Sequence, residues 1–86
     1  MANQNSFELE VIKPTQNFKV DIEWLDAQSP TGNFVVGPNH IPLISILKER
    51  GIITFKKVAN GKEEKIDVYG GILKIIDNKA TVILEL

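Results

Sequence analysis

The sequence has no cysteine, one histidine, one tryptophan and one tyrosine among its 86 residues. Without cysteine there is no disulfide staple, no thiolate nucleophile and no thiolate zinc cluster. A single histidine, with no serine and acid in a recognised spacing around it, supplies neither a metal centre nor a nucleophilic triad. An excess of one charge is missing as well. Ten basic residues stand against 11 acidic ones, interspersed, for a net charge of −1, which gives no long-range field to draw the chain toward phosphate or anionic lipid. Nucleic acid is therefore not an expected partner. Trp24 reads as core or bulge filler, since a base-stacking platform needs several aromatics beside a basic groove. No apolar run approaches the ~20 residues that span a bilayer, and the start Met1-Ala2-Asn3-Gln4-Asn5 lacks the basic-then-apolar pattern of a signal peptide. A cytoplasmic location without direct membrane insertion is expected.

What is present is mostly alternation. Eighty-six residues are too few to divide into two independent cores, so residues 1–86 are expected to form a single domain. Phe7, Leu9 and Val11 share one face of a strand that Pro14 ends, with Glu8 and Glu10 opposite. Phe18, Val20, Ile22 and Trp24 continue at period two, but the phase changes at Trp24-Leu25, after which Leu25 and Ala27 share a face. That slip predicts a bulge or a hand-over between sheets. Leu43–Leu47 reads as a strand. Asn60-Gly61 inside Ile52–Val68 predicts a hairpin with a two-residue type I′ turn, which would set Phe55 opposite Ile66, Ile53 opposite Val68, Lys57 opposite Glu64 and Lys56 opposite Lys65. Gly70-Gly71 marks a bulge or the close approach of another strand. Leu73 and Ile75 then face Val82, Leu84 and Leu86 across a turn at Asp77-Asn78-Lys79, whose loop length two registers leave open. Short strands, frequent turns and no sustained helical period predict an all-β fold, an antiparallel β-sandwich or flattened barrel of about ten short strands.

Residues Gly32 to Leu43 depart from this pattern. Two glycines, two prolines and the only histidine lie between apolar runs, and a loop so rich in restricted residues is held in one shape for recognition. Gly32 and Gly37 are expected to take positive φ. His40 fits two roles, locking the loop through neighbouring backbone or touching a partner. The acid pairs Glu8/Glu10 and Glu63/Glu64 read as solvated strand faces rather than as a general acid and base. No catalytic, metal or cofactor-binding residue is expected.

Gly32-Asn33-Phe34-Val35-Val36-Gly37-Pro38-Asn39-His40-Ile41-Pro42-Leu43, followed by Gly70-Gly71-Ile72-Leu73-Lys74-Ile75 and Thr81-Val82, resembles the epsilon subunit of F-type rotary ATP synthases over nearly the whole chain. The resemblance implies a non-catalytic rotor subunit of the central stalk. It would grip the gamma subunit and rest on the polar loops of the membrane c-ring, so that ion-driven rotation is coupled to ATP synthesis. It also implies one copy per complex, peripheral, on the cytoplasmic face of the energy-coupling membrane. Thr31, Gly32 and Asn33 would face the ring, and Pro38, Asn39, His40, Ile41 and Pro42 would lie toward gamma and the ring. Asn33 stands where the family commonly has an acid, which weakens a charge-assisted bond to a neutral one, and Val35 replaces a common glycine. Longer members continue into a C-terminal helical hairpin that inhibits hydrolysis and in some binds ATP; this sequence ends at Leu86, so neither role is expected to transfer. The rival from another class is a free-standing β-sandwich adaptor that binds peptides by strand addition at an edge.

Overall fold

A computed structural model describes residues 5–85; the polar start at residues 1–4 and the inward place expected for Leu86 lie outside the described residues. Eight strands follow one another: β1 (Phe7–Ile12), β2 (Asn17–Ser29), β3 (Gly32–Val36), β4 (Leu43–Ile46), β5 (Gly51–Lys57), β6 (Glu63–Val68), β7 (Gly71–Ile76) and β8 (Lys79–Leu84). They hydrogen-bond in the order β4-β7-β8-β1-β2-β5-β6, with β3 also on β2. There is no helix among the described residues, hence none long and apolar enough to cross a membrane. The expected all-β class holds, with eight strands among the described residues in place of about ten. One reason is β2, which runs unbroken through 13 residues and serves both flanks: its first half pairs with β1, its second with β3 and β5.

One face of each strand builds the core. Phe7, Leu9 and Val11 of β1, Ile22, Leu25 and Ala27 of β2, and Leu73 and Ile75 of β7 are all buried in one cluster that reaches from Leu47 to Val68 and Leu84. With no helix to cover them, these side chains leave water only if the sheet folds against itself, which is the sandwich arrangement. The phase slip expected at Trp24-Leu25 is a bulge. Ile22 opposes Lys57 while Trp24 opposes Lys56, so Glu23 is the extra residue and Leu25 returns inward. One pairing is parallel rather than antiparallel, β1 against β8.

The β5–β6 hairpin corrects the expected register. Ile53 opposes Ile66, Phe55 opposes Glu64, and Lys65 faces Thr54 rather than Lys56, which faces Glu63. The shift is two residues, so every side chain keeps its face; alternation alone cannot tell the two registers apart. The turn decides between them. A type I′ turn needs positive φ at both central residues, and here Gly61 has it (φ 66) while Asn60 does not. Asn60 instead accepts the Lys62 N–H on its side-chain oxygen at 2.9 Å. Lys57 N–H then bonds Lys62 O across a loop of residues 58–61. The Lys57–Glu64 ion pair still forms, now on the diagonal. The type I′ turn lies elsewhere: Asp77 (φ 51) and Asn78 (φ 59) close β7 onto β8, with Ile76 opposite Lys79.

On the outer face Lys79 Nζ lies 3.4 Å from Glu8 Oε1 and 3.2 Å from Glu10 Oε1. The Lys79 hydrogen bond, set against partial desolvation, holds the Glu10 carboxyl below its usual range, and the same bond raises the Lys79 ammonium above its own. A carboxyl whose pKa is lowered by folding stabilises the fold above the unfolded value, 4.5, and loses that contribution as pH falls through the lower folded value. Lys79→Gln is therefore expected to lower the urea midpoint at neutral pH and to converge with the unsubstituted chain in acid. A constant gap across a pH series of urea titrations would contradict this.

Candidate functional site

Three surfaces stand out. The first is the tip joining β2 to β3. Ser29 opposes Gly32, leaving Pro30-Thr31 as the turn; the Ser29 hydroxyl donates to Gly32 O at 2.7 Å and lies 3.3 Å from the Thr31 hydroxyl. Gly32 has φ 149 with open space where a Cβ would stand. Thr31, Gly32 and Asn33 are all exposed. The tip's base is clamped through Gln28, whose side-chain oxygen accepts Ile52 N–H at 2.8 Å and whose carbonyl accepts Lys48 N–H at 2.7 Å.

The second is the corner 37–42, which has no strand of its own. Positive φ falls on Asn39 (φ 60), not on Gly37 as expected from the sequence. An asparagine accepts that conformation better than most residues. Asn39 N–H donates to Asn78 Oδ1 at 2.7 Å. The His40 ring also has a backbone bond: Nδ1 lies 2.7 Å from Ile41 O, and because a carbonyl only accepts, Nδ1 is the donor. Ile41 is left 74% exposed between these restraints. Tip and corner are not one loop. They lie at opposite ends of β3, about 14 Å apart by strand rise, so Thr31, Gly32 and Asn33 do not join Pro38, Asn39, His40, Ile41 and Pro42 in a single patch.

The third surface was not anticipated. On the outer face Ile46 opposes Ile72, Ile72 opposes Ile83, and Ile83 opposes Ile12, a row of four isoleucines across β4, β7, β8 and β1. Ile46, Ile72 and Ile83 are exposed, as are the neighbouring Ile44 (72%) and Ile76. A shallow groove lined by Pro42, Ile44, Lys74 and Ile76 makes the row continuous with the corner. The signal in the sequence was Ile72-Leu73-Lys74-Ile75-Ile76 and Val82-Ile83-Leu84, where apolar residues occupy both faces of a strand. A strand apolar on both sides asks for cover on both.

Gly71 behaves as a spacer. A Cβ on Gly71 would meet Ile83 O at 2.5 Å, which is the close strand approach that Gly70-Gly71 predicts. No polar or charged side chain is buried among the described residues, and no group of three or more His, Asp or Glu among them could hold a metal ion. What the three surfaces offer is contact: exposed hydroxyl and amide groups at the tip, a braced apolar point at the corner, and an apolar sheet face beside it.

A protein-family profile described as the ATP synthase delta/epsilon chain β-sandwich domain matches residues 6–85. The chain is 37% identical over 81 residues to an ATP synthase epsilon chain of Desulfitobacterium hafniense, covering 93% of this chain and 59% of that one. To the epsilon chain of Nitratidesulfovibrio vulgaris it is 35% identical over 83 residues, covering 95% and 60%. The chain thus spans about three fifths of the length of these relatives. Among solved structures, the cryo-EM structure of the central stalk and c-ring of the Tetrahymena thermophila mitochondrial ATP synthase contains a similar chain, at TM-score 0.76 and 13% identity, over 99% of this chain and 67% of that one. A chain in the Euglena gracilis mitochondrial enzyme aligns at TM-score 0.85 and 14% identity, over 98% and 53%. At such identities the likeness is one of fold.

Proposed function

This chain belongs to the ATP synthase delta/epsilon chain family, matching its β-sandwich domain over residues 6–85, and on that premise we propose that it is a rotor subunit of the central stalk, without catalytic chemistry of its own. It links the gamma subunit to the c-ring, one copy per complex, so that ion-driven rotation reaches the sites of ATP synthesis. It sits as a peripheral subunit on the cytoplasmic face of the energy-coupling membrane and acts as a single domain. The observation that carries this reading is the isoleucine row running into the corner. An apolar row whose isoleucines on β4, β7 and β8 are open to water is a docking surface, and a gamma subunit is the partner that the resemblance to the epsilon subunit implies. Gamma covers Ile46, Ile72 and Ile83 together with His40, Ile41 and Pro42. Thr31, Gly32 and Asn33, polar and about 14 Å away along β3, meet the polar loops of the ring. Separation of the two surfaces by a hydrogen-bonded strand suits a part that must transmit torque without yielding, because a close-packed sheet core deforms little. Peptide capture at a sheet edge is not favoured beside the family match.

Affinity capture from native membranes tests the reading: the tagged chain is expected to bring down gamma and c-ring subunits, and recovery of neither refutes it. Alanine at His40, Ile41 and Pro42 together is expected to weaken assembly about tenfold or more while leaving the melting temperature of the isolated chain in place. An equal loss of stability would make the segment structural only. Calorimetry with ATP is expected to show no saturable binding, and a binding isotherm would count against a purely mechanical part.

A further inference from the structure

Asn78 lies 39 residues from Asn39, and the sequence marks it only as a residue of the Asp77-Asn78-Lys79 turn. Its carboxamide nevertheless uses both ends. Oδ1 accepts the Asn39 N–H at 2.7 Å, and Nδ2 donates to the Ser6 carbonyl at 3.2 Å. The orientation of the amide is fixed by its partners, since an N–H requires an acceptor and a carbonyl requires a donor. One side chain therefore joins the corner, the β7–β8 turn and the entry to β1. Turn formation alone does not explain an asparagine here. The second central position of a type I′ turn is suited best by glycine, and Asn78 holds φ 59 there; what glycine lacks is the carboxamide.

We propose that Asn78 is a positioning residue that fixes the 37–42 corner to the sheet through the Asn39 amide, so that Ile41 is presented to the gamma subunit in one orientation. The part concerning gamma rests on the function proposed above; the part concerning the corner does not. The corner has no strand partners, and its own bond, from His40 to Ile41 O, is internal to it. Asn78 ties it to an element with a ladder on both sides, because β7 and β8 are each paired along both edges.

Three variants of the 86-residue chain test this, read by amide hydrogen exchange in NMR and by affinity for isolated gamma subunit. Asn78→Gly keeps the turn and removes the carboxamide; exchange at Asn39 is expected to accelerate about three- to tenfold, the factor one neutral hydrogen bond supports, with a several-fold loss of gamma affinity. Asn78→Asp keeps the acceptor and tolerates the positive φ but loses the donor to the Ser6 carbonyl, so it is expected to protect Asn39 and to bind gamma better than Asn78→Gly does. Asp77→Gly alters the same turn without touching the bond and is expected to change neither reading. Unaltered exchange at Asn39 in Asn78→Gly, or an Asn78→Asp chain that behaves like Asn78→Gly, overturns the proposal. Faster exchange with unchanged gamma affinity overturns its functional half, since the corner would then be held but not used. Failure of the unsubstituted chain to bind gamma falls on the function reading instead, and the exchange comparison still decides the role of Asn78 within the fold.

Discussion

Gly71→Ala is expected to lower the melting temperature by about 15 °C, corresponding to about 3 kcal/mol in a chain of this size. The new Cβ would stand 2.5 Å from Ile83 O and 3.0 Å from a Leu84 methyl carbon. The first of these atoms is backbone. It cannot swing aside like the end of a flexible side chain, so the methyl must push β8 away from β7 where Gly71 opposes Leu84. Gly71 O also accepts the Leu47 N–H at 3.0 Å, which carries the displacement into the chain leaving β4. Gly71 has no positive φ, so the cost is one of space and not of backbone conformation. Small domains hold only about 5–10 kcal/mol in total, and this single methyl removes a large part of it. Gly37→Ala supplies the contrast: with nothing within 4 Å of its Cβ and no positive φ, it is expected to shift stability by less than about 0.5 kcal/mol. Thermal melts followed by circular dichroism compare the two, and a Gly71→Ala chain that melts with the unsubstituted one would mean that the strands part easily at this point.

Ile72→Glu is expected to leave folding nearly unchanged and to weaken binding to the gamma subunit by about 100-fold or more. Ile72 is 44% exposed at the centre of the row, so in the free chain a carboxylate there stays in contact with water. Under a partner the same carboxylate must be desolvated beside Ile46 and Ile83, its neighbours across the ladder, while the contact area of the isoleucine is lost as well. Val58→Glu is the control. Val58 is 37% exposed in the loop after β5, outside the row, and the change is expected to alter neither folding nor binding. Titration of gamma with each variant separates the cases. If Ile72→Glu and Val58→Glu bind alike, the isoleucine face is not the contact.

Much of the inner face was legible from local pattern. Phe7, Leu9 and Val11, then Leu73, Ile75, Val82 and Leu84, alternate cleanly and are buried, because strand geometry sends successive side chains to opposite faces. The Trp24-Leu25 slip was equally visible, since an added residue must invert the pattern. The β5–β6 register was not, because a shift of two preserves both faces, and the outcome rested on whether Asn60 used its backbone or its side chain to form the turn. The residues of the tip and corner were visible by composition, yet their distribution over two surfaces depended on β3 extending between them. The isoleucine face lay in plain view as apolar residues on both sides of β7 and β8, but alternation assigns only one of two apolar faces to the core.

By itself, then, the sequence determined that the molecule is built of strands, much of what enters the core and where the chain must turn, because these follow from the period-two geometry of an extended backbone and from the restricted angles of proline, glycine and asparagine. Tertiary structure alone decided that β1 lies parallel to β8, that four isoleucines from four strands form one row, and that Asn78 reaches the corner. Each of these is a meeting of residues far apart in the chain, set by how the sheet folds over its core, and no local pattern encodes it.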